Sequence, residues 1–294
     1  MDPKAVDIQS IFLFVVNVMF TCTGTFLNLL VIVSFWRCSA YLRSKLCNFM
    51  IMVLSVCDFF VVITNYPTLI LRLVWWLKKK NSLLAIELVY DRISNVFIGI
   101  SMMALLVMSI ERYLGAYYPF FHRTSLTRRK LLTLHGLFSL LPIMLKIISV
   151  NDWITSYAVI LGIFCLFVFP LFSFFNYKLF IISREVRRDL ANRRDNASSP
   201  ETAALHVNLR NISSCLLSVG CLALVYTTAF FHIGFNFAEG PTSENARMAL
   251  CWTTTVANAN SSLNCLIFFW KNDVLRREGI KAVKALKVHL RFTC

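Results

Sequence analysis

Residues 46–73 read LCNFMIMVLSVCDFFVVITNYPTLILRL, an apolar run that contains one acid, Asp58, and one base, Arg72. A helix needs about 20 mainly apolar residues to cross the hydrocarbon core of a bilayer, and this run exceeds that length. A carboxyl group in the middle of such a helix is unfavourable and is therefore a candidate functional residue. The stretch predicts a membrane-spanning helix with a polar site inside it.

Six further apolar stretches along the chain are also long enough to span a membrane. They are Ile8–Trp36, Leu83–Tyr113, Leu131–Ile148, Tyr157–Ile182, Ile212–Phe235 and Ala249–Trp270. We therefore predict an all-α membrane protein, a seven-transmembrane helix bundle with an amphipathic eighth helix. All of residues 1–294 form one domain in this prediction, with an extracellular N-terminus over about 1–10 and the helical bundle over 11–270.

The segment after the last apolar run has a different pattern. Between Asn272 and Val288, apolar residues alternate with Arg and Lys. This pattern is typical of a helix that lies on a membrane surface. Residues 271–294 are therefore predicted to form the amphipathic helix and a short cytoplasmic tail.

The overall composition excludes the common soluble classes. The chain is 57% hydrophobic and only 15% charged, whereas soluble domains carry about 25% charged residues. A net charge of +15 could point to nucleic acid, but the chain has no basic soluble domain to bind it. We expect the lipid bilayer, and no nucleic acid, among the partners.

The basic residues are distributed unevenly between the two sides of the predicted bundle. One set of loops, together with the tail, carries 22 of them, and the other set carries 8. Cytoplasmic loops are enriched in Lys and Arg. The N-terminus is therefore predicted outside the membrane and the C-terminus in the cytoplasm, which agrees with seven spans.

Asp58 is the only acid deep inside a span, and polar residues at a similar depth in other runs are its expected partners. These partners are Asn28, Ser101, Asn260, Ser261 and Asn264. Oxygen ligands around one carboxylate suit a small, hard cation such as Na⁺. The alternative is a protonated Asp58 that hydrogen-bonds for packing alone.

A second candidate lies at the end of the third run, where Glu111, Arg112 and Tyr113 are followed by Tyr118 and Pro119. Adjacent Glu and Arg neutralise each other at the membrane boundary. Such a pair can be broken and the Arg given another partner, which makes a switch. The alternative is a surface Arg112 that extends its charge into water.

Together these features resemble the class A (rhodopsin-like) G-protein-coupled receptors over nearly the whole chain. The matching elements are Gly24–Asn28, Leu42-Arg43-Ser44, Asn48, Leu54–Asp58, Glu111-Arg112-Tyr113, Pro170 and Asn260–Phe268. The resemblance places Asp58 and its partners on the family's sodium site, and Glu111, Arg112 and Tyr113 on its G-protein switch. It implies a multi-pass plasma-membrane receptor that is not an enzyme and has no cofactor other than regulatory ions. Its partners would be an extracellular ligand and a heterotrimeric G protein.

Several positions depart from the family pattern. The position of the third-helix disulfide cysteine is occupied by Glu87, and the loop after the fourth run, around Asn151–Trp153, has no Cys. The sixth run lacks the Cys-Trp-x-Pro element, and the seventh has Cys265 for Pro and Phe268 for Tyr. Ligand-driven switching is therefore less well supported than the fold.

The ligand class is predicted from the outer part of the third run. Glu87 and Asp91 are four residues apart, so they share one helix face and could bind a basic peptide or Ca²⁺. This pattern resembles the melanocortin receptors and their cannabinoid and lysophospholipid relatives, whose third acid would fall near Thr68. Ser94 argues against an amine ligand and Asn258 against retinal, and both are pocket candidates. The alternative is weak surface pairing of the two acids with nearby Lys and Arg.

The Cys and His residues form no recognisable cluster in the sequence. The ten Cys are expected to be small apolar residues, except that Cys294 could carry a lipid. The five His are expected to be ordinary surface or interfacial residues. A membrane enzyme would need a nucleophile–base cluster, and the sequence shows none, so an enzyme is disfavoured. The alternative functions are a seven-span transporter or channel, and a receptor-like protein that is constitutively active or does not signal.

Overall fold

The structure is a computed structural model that describes residues 3–77, 84–148, 168–192 and 243–293, with isolated positions between 227 and 240. Side chains are described throughout these ranges except at 3–6, 76, 84–95, 148, 189–192, 244 and 286–293. The four ranges form helices and contain no strand. The helices are α1 (Pro3–Arg37), α2 (Ala40–Ser44), α3 (Leu46–Leu77), α4 (Leu84–Tyr117), α5 (Pro119–Thr124), α6 (Arg128–Ile148), α7 (Phe169–Asn192), α8 (Glu244–Lys271) and α9 (Asp273–Thr293).

Four stretches of these helices are long and apolar enough to cross a membrane, counted over the residues given above. They are Asp7–Arg37, Leu46–Trp75, Val96–Tyr117 and Arg128–Ile147. They correspond to the first four runs predicted from the sequence. The fifth run is described from residue 168 onward, largely as part of α7, and the sixth run lies largely outside the described residues. α8 has the length of a span with 28 residues, but its buried Thr and Asn residues lower its hydropathy.

The exposed face of α1 indicates that the bundle is surrounded by an apolar solvent. Phe12, Met19 and Phe26 are each more than half exposed. The buried face of the same helix carries Asn17 and Asn28, both fully buried. Soluble proteins seldom expose such a large apolar surface, and a bilayer accounts for polar residues inside and apolar residues outside.

The helices pack around α3 and α4. α3 contacts α1, α4 and α8, and α4 also contacts α6 and α7. Gly24 of α1 allows a close approach to α8, because a Cβ atom at this position would overlap the hydroxyl of Ser262. Small residues commonly let helices approach in this way inside membranes.

Two apolar clusters leave a polar zone between them along α3. One cluster includes Leu54, and the other includes Leu69 and Leu73. Asp58 and Asn65 therefore lie in the stretch between the buried members of the two clusters. This arrangement places the polar residues at the middle depth of the bundle.

The short helices and α9 are held at one end of the bundle, which we call the α5 end. Asn272 caps α9 by accepting the backbone N–H of Leu275 at its Oδ1 over 3.1 Å. Its Nδ2 donates to Oδ1 of Asn48 over 2.8 Å, and Nδ2 of Asn48 donates to the carbonyl oxygen of Leu42 over 2.9 Å. Gly279 packs against Phe269, so α9 is fixed at its start and along its length.

The helix boundaries extend beyond the apolar runs. α1 begins at Pro3, where a proline is compatible with the first helical turn, so the helix takes in most of the predicted N-terminal segment. α3 continues to Leu77 and contains Pro67, and α6 contains Pro142. Hydropathy does not detect polar residues at the ends of a helix, so the runs predicted from the sequence are shorter than the observed helices.

We predict that Met19→Lys prevents most of the chain from reaching the folded state in a membrane. Met19 is 62% exposed on the apolar face of α1, and a Lys at the centre of a spanning helix is unfavourable by about 3 kcal/mol. Monodisperse yield after mild detergent extraction measures the effect, and Met19→Leu is the control. A yield of Met19→Lys equal to wild type would mean that this face is in contact with water.

Candidate functional site

Asp58 connects three helices through its carboxyl group. It is fully buried in α3. The Ser101 hydroxyl of α4 donates a hydrogen bond to Oδ1, and Nδ2 of Asn264 in α8 donates to Oδ2 over 3.3 Å. The hydroxyl of Ser261, also in α8, is a third hydrogen-bond partner. The structure thus brings together four of the six residues predicted for the polar core.

Three amide oxygens near this depth increase the number of oxygen ligands in the core. Oδ1 of Asn28, Asn260 and Asn264 is buried in each case, and none of them accepts a hydrogen bond from the described residues. Carboxylate, hydroxyl and amide oxygens are the ligands that hard cations prefer. The core therefore contains the kinds of oxygen ligand that suit a small cation such as Na⁺.

Asn28 contributes less directly than the sequence suggests. Its Nδ2 donates to the carbonyl oxygen of Gly24 over 2.9 Å, one turn earlier in α1. Among the described hydrogen bonds, none joins Asn28 to Asp58. Residue counting places Asn28 and Asp58 at a similar depth, but it does not show in which direction the Asn28 amide points.

Asn258 is placed by the structure in a buried amide pair. Nδ2 of Asn65 donates to Oδ1 of Asn258 over 3.2 Å, and both residues are fully buried. Sequence reasoning missed Asn65, although it lies seven residues after Asp58 and therefore near the same face of α3. Thr68, another pocket candidate, donates to the backbone oxygens of Thr64 and Asn65 over 2.9 Å.

Two further polar contacts join α1, α3 and α8. Nδ2 of Asn17 donates to Oγ1 of Thr255 over 2.9 Å, and the hydroxyls of Tyr66 and Ser262 are 3.3 Å apart. None of these four residues was selected from the sequence. The interface of the three helices is thus lined with polar contacts from Asn17 to Asp58.

The predicted switch residues Glu111 and Arg112 are paired and buried near the α5 end. Nε of Arg112 lies 3.6 Å from Oε2 of Glu111, and the two side chains are 8% and 3% exposed. The Cys47 thiol at the start of α3 is a further hydrogen-bond partner of Arg112. Arg112 is therefore held inside the bundle and does not extend into solvent.

A histidine that sequence reasoning missed contacts the same glutamate. Nε2 of His122 in α5 lies 2.9 Å from Oε1 of Glu111. His122 was expected to be an ordinary surface residue, but its side chain is only 23% exposed. The sequence spacing between Glu111 and His122 does not predict this contact, because the contact depends on how α5 folds back against α4.

Tyr113 lies in an aromatic group away from this pair. Its ring centroid is 4.8 Å from that of Tyr117 and 5.3 Å from that of Phe175 in α7. The prediction grouped Tyr113 with Glu111 and Arg112. In the structure, the Tyr113 ring instead packs α4 against α7.

On the surface around the Glu111–Arg112 pair, some side chains are exposed and others are held by contacts with the bundle. Phe120 of α5 is 81% exposed, and Arg129 is exposed at the start of α6. Arg128 is committed, since its guanidinium donates to the carbonyl oxygen of Arg43 and lies 5.3 Å from the ring centre of Phe49. The Arg128 side chain therefore ties α6 to α2.

His135 also corrects the expectation that every His lies at the surface or the membrane interface. It is 9% exposed, and its Nε2 is 3.6 Å from Sγ of Cys57. Its Nδ1 is 3.4 Å from the Ser139 hydroxyl. The imidazole thus links α3 and α6, and Cys57 is more than a small apolar residue.

Some predicted residues fall outside what the structure describes. They are Cys294 and the side chains of Glu87, Asp91 and Ser94. The predictions of lipidation at Cys294 and of Ca²⁺ binding at Glu87 and Asp91 therefore concern side chains outside the described residues. Within the described residues, no group of three or more His, Cys, Asp or Glu is arranged to hold a metal ion.

Comparison of the chain with models of known protein families and with characterised proteins gives no match. The chemistry of the polar core and of the Glu111–Arg112 pair is therefore the basis for a functional proposal.

We predict that Ser101→Ala lowers the free energy of unfolding by about 2 kcal/mol, the usual contribution of a hydrogen bond to a charged group. The substitution removes a donor from the buried Asp58 carboxyl. Thermal unfolding in detergent measures the loss. Ser34→Ala is the control, because the Ser34 hydroxyl bonds only to Leu30 of its own helix among the described contacts, and an equal loss there would contradict the special role of Ser101.

Proposed function

We propose that this chain is a plasma-membrane receptor of the class A G-protein-coupled type. An extracellular ligand shifts its helix bundle between two states, and a heterotrimeric G protein binds the open one. The observation that carries the proposal is the buried Glu111–Arg112 pair at the α5 end, 3.6 Å apart. A buried pair at a bundle end favours the state in which it is intact, because departure of the Arg leaves the Glu charge behind.

The resting state in this proposal is the one in which Arg112 is paired. Glu111 and Cys47 hold the guanidinium inside the bundle. In the open state Arg112 leaves Glu111 and contacts the partner. A ligand can shift this equilibrium only by its difference in affinity for the two states.

The α5 end is the cytoplasmic side of this receptor. The loops and tail assigned to that side carry most of the basic residues of the chain, as the positive-inside rule requires. Phe120 and Arg129 are exposed there. An exposed aromatic ring next to basic side chains suits contact with a protein partner at the membrane surface.

Asp58 and its partners form the allosteric core of the proposal. Hydrogen bonds from α4 and α8 converge on one carboxylate of α3. Asp58, Ser101, Ser261 and Asn264 would hold a Na⁺ ion there, and its charge would favour the arrangement in which these three helices are close together. Movement of any one of the helices weakens the site, so ion binding and opening oppose each other.

The ligand would enter from the opposite end of the bundle. Glu87 and Asp91 are on one face of α4, where a basic peptide or Ca²⁺ is the proposed partner. Thr68, Ser94 and Asn258 complete the set of pocket candidates. An amphipathic lipid or another small molecule is an alternative ligand class for the same end of the bundle.

A seven-span transporter or channel is the second candidate. The polar contacts from Asn17 through Asn65 to Asp58 favour it, because transport pathways are lined by buried polar residues. Ion or substrate flux across proteoliposomes without nucleotide exchange would support this alternative. A receptor-like protein that signals constitutively, or not at all, differs from the main proposal only in its ligand dependence.

We predict that Arg112→Ala lowers nucleotide exchange at least about tenfold, equivalent to 1.4 kcal/mol. The readout is GTP exchange by a panel of Gα classes on membranes that carry the chain, above membranes without it. Arg129→Ala, which removes an exposed Arg at the same end, is the matched control. Wild-type exchange by Arg112→Ala would show that this residue is not the switch.

We predict that Na⁺ raises the unfolding temperature of the chain and that Asp58→Asn removes the effect. At a concentration of ten times the dissociation constant, a bound ion stabilises the folded state by about 1.4 kcal/mol. Thermal unfolding in NaCl is compared with choline chloride at equal ionic strength. A sodium effect that persists in Asp58→Asn would place the ion elsewhere.

A further inference from the structure

The carboxylate of Glu111 has two partners from two different helices. Oε2 lies 3.6 Å from Nε of Arg112, the next residue in α4. Oε1 lies 2.9 Å from Nε2 of His122, which belongs to α5. Each carboxylate oxygen thus faces a different cationic or donor group, and Oε1 is the one within hydrogen-bond distance of its partner, since Oε2 accepts no hydrogen bond from the described residues.

The burial of Glu111 makes the second partner important. The whole residue is only 2% exposed. When one partner of a buried ion pair is removed, the charge that remains destabilises the structure strongly. If Arg112 left Glu111 and no other donor stood nearby, this penalty would oppose opening of the bundle.

The backbone around Glu111 provides the space for the imidazole. Gly115 lies one helical turn after Glu111 in α4. A Cβ atom added to Gly115 would lie 3.4 Å from both Cδ2 and Nε2 of His122. The His122 ring therefore rests against the bare backbone of α4, and a larger side chain at this position would push it away from Glu111.

We propose that His122 is the partner that keeps Glu111 satisfied when Arg112 leaves, and that it thereby lowers the free energy of the open state. This inference rests on the proposed function and assigns His122 as a positioning residue for its switch. In the resting state Glu111 has both partners, so loss of His122 matters less. In the open state it has only His122. The contact needs only an N–H on Nε2, which the neutral imidazole supplies as well as the charged one.

The test compares His122→Ala and His122→Gln in wild-type and Glu111→Gln backgrounds. The first readout is nucleotide exchange by G proteins. The second needs no G protein: it is the rate at which Cys47, which packs against Arg112, reacts with a water-soluble thiol reagent, followed by peptide mass spectrometry. Cys47 is already partly exposed in the resting state, and departure of Arg112 exposes more of its thiol, so a rise in the rate reports the open population.

We expect His122→Ala to lower both readouts at least threefold. His122→Gln restores them, because the Gln side chain also carries an N–H donor. In the Glu111→Gln background, His122→Ala has no further effect, since an amide leaves no buried charge. Gly115→Val mimics His122→Ala, whereas Gly136→Val, at a position with no atom within 4 Å of an added Cβ, does not.

Two results would overturn the inference. Faster Cys47 labelling in His122→Ala would mean that His122 stabilises the resting state. An equal loss with and without the Glu111 charge would mean that His122 acts through another contact. If no Gα class exchanges nucleotide on the wild-type chain, the proposed function fails, while the Cys47 rates still decide the role of His122.

Discussion

A carboxyl group inside an apolar bundle has to be surrounded by donors, and this requirement at Asp58 determines how α3, α4 and α8 are arranged. Ser101 and Asn264 can donate to the two carboxylate oxygens only if their helices hold one rotation and one depth relative to α3. Apolar packing alone is tolerant of small rotations. The hydrogen bonds to Asp58 therefore select one arrangement among several that the apolar clusters would accept.

Glu111 follows the same requirement by a different route. Asp58 is surrounded by neutral donors from two other helices, whereas Glu111 is held by a neighbouring cation and by an imidazole from a six-residue helix. The first group can be broken only by moving a long helix. The second can be broken by a side-chain rotation of Arg112. This difference makes the Asp58 group sensitive to movement of the long helices and the Glu111–Arg112 pair sensitive to a local side-chain rotation.

The sequence predicted the first four apolar helices and the convergence on Asp58, because depth along a helix follows from residue counting. The direction in which a side chain points across a helix interface does not follow from counting. Asn28 bonds to its own helix for this reason, and Asn65 was missed despite its spacing from Asp58. His122 and His135 were missed because their partners belong to other helices, and only the packing of α5 and α6 brings them into contact.

The Asn272 cap of α9 has a mechanical consequence. Its amide joins the first turn of the amphipathic helix to Asn48, and through Asn48 to the backbone at Leu42. α9 therefore cannot tilt as an independent rod without loosening the amide chain to α3. A displacement of α9 is therefore passed through the two amides of Asn272 and Asn48 to the start of α3.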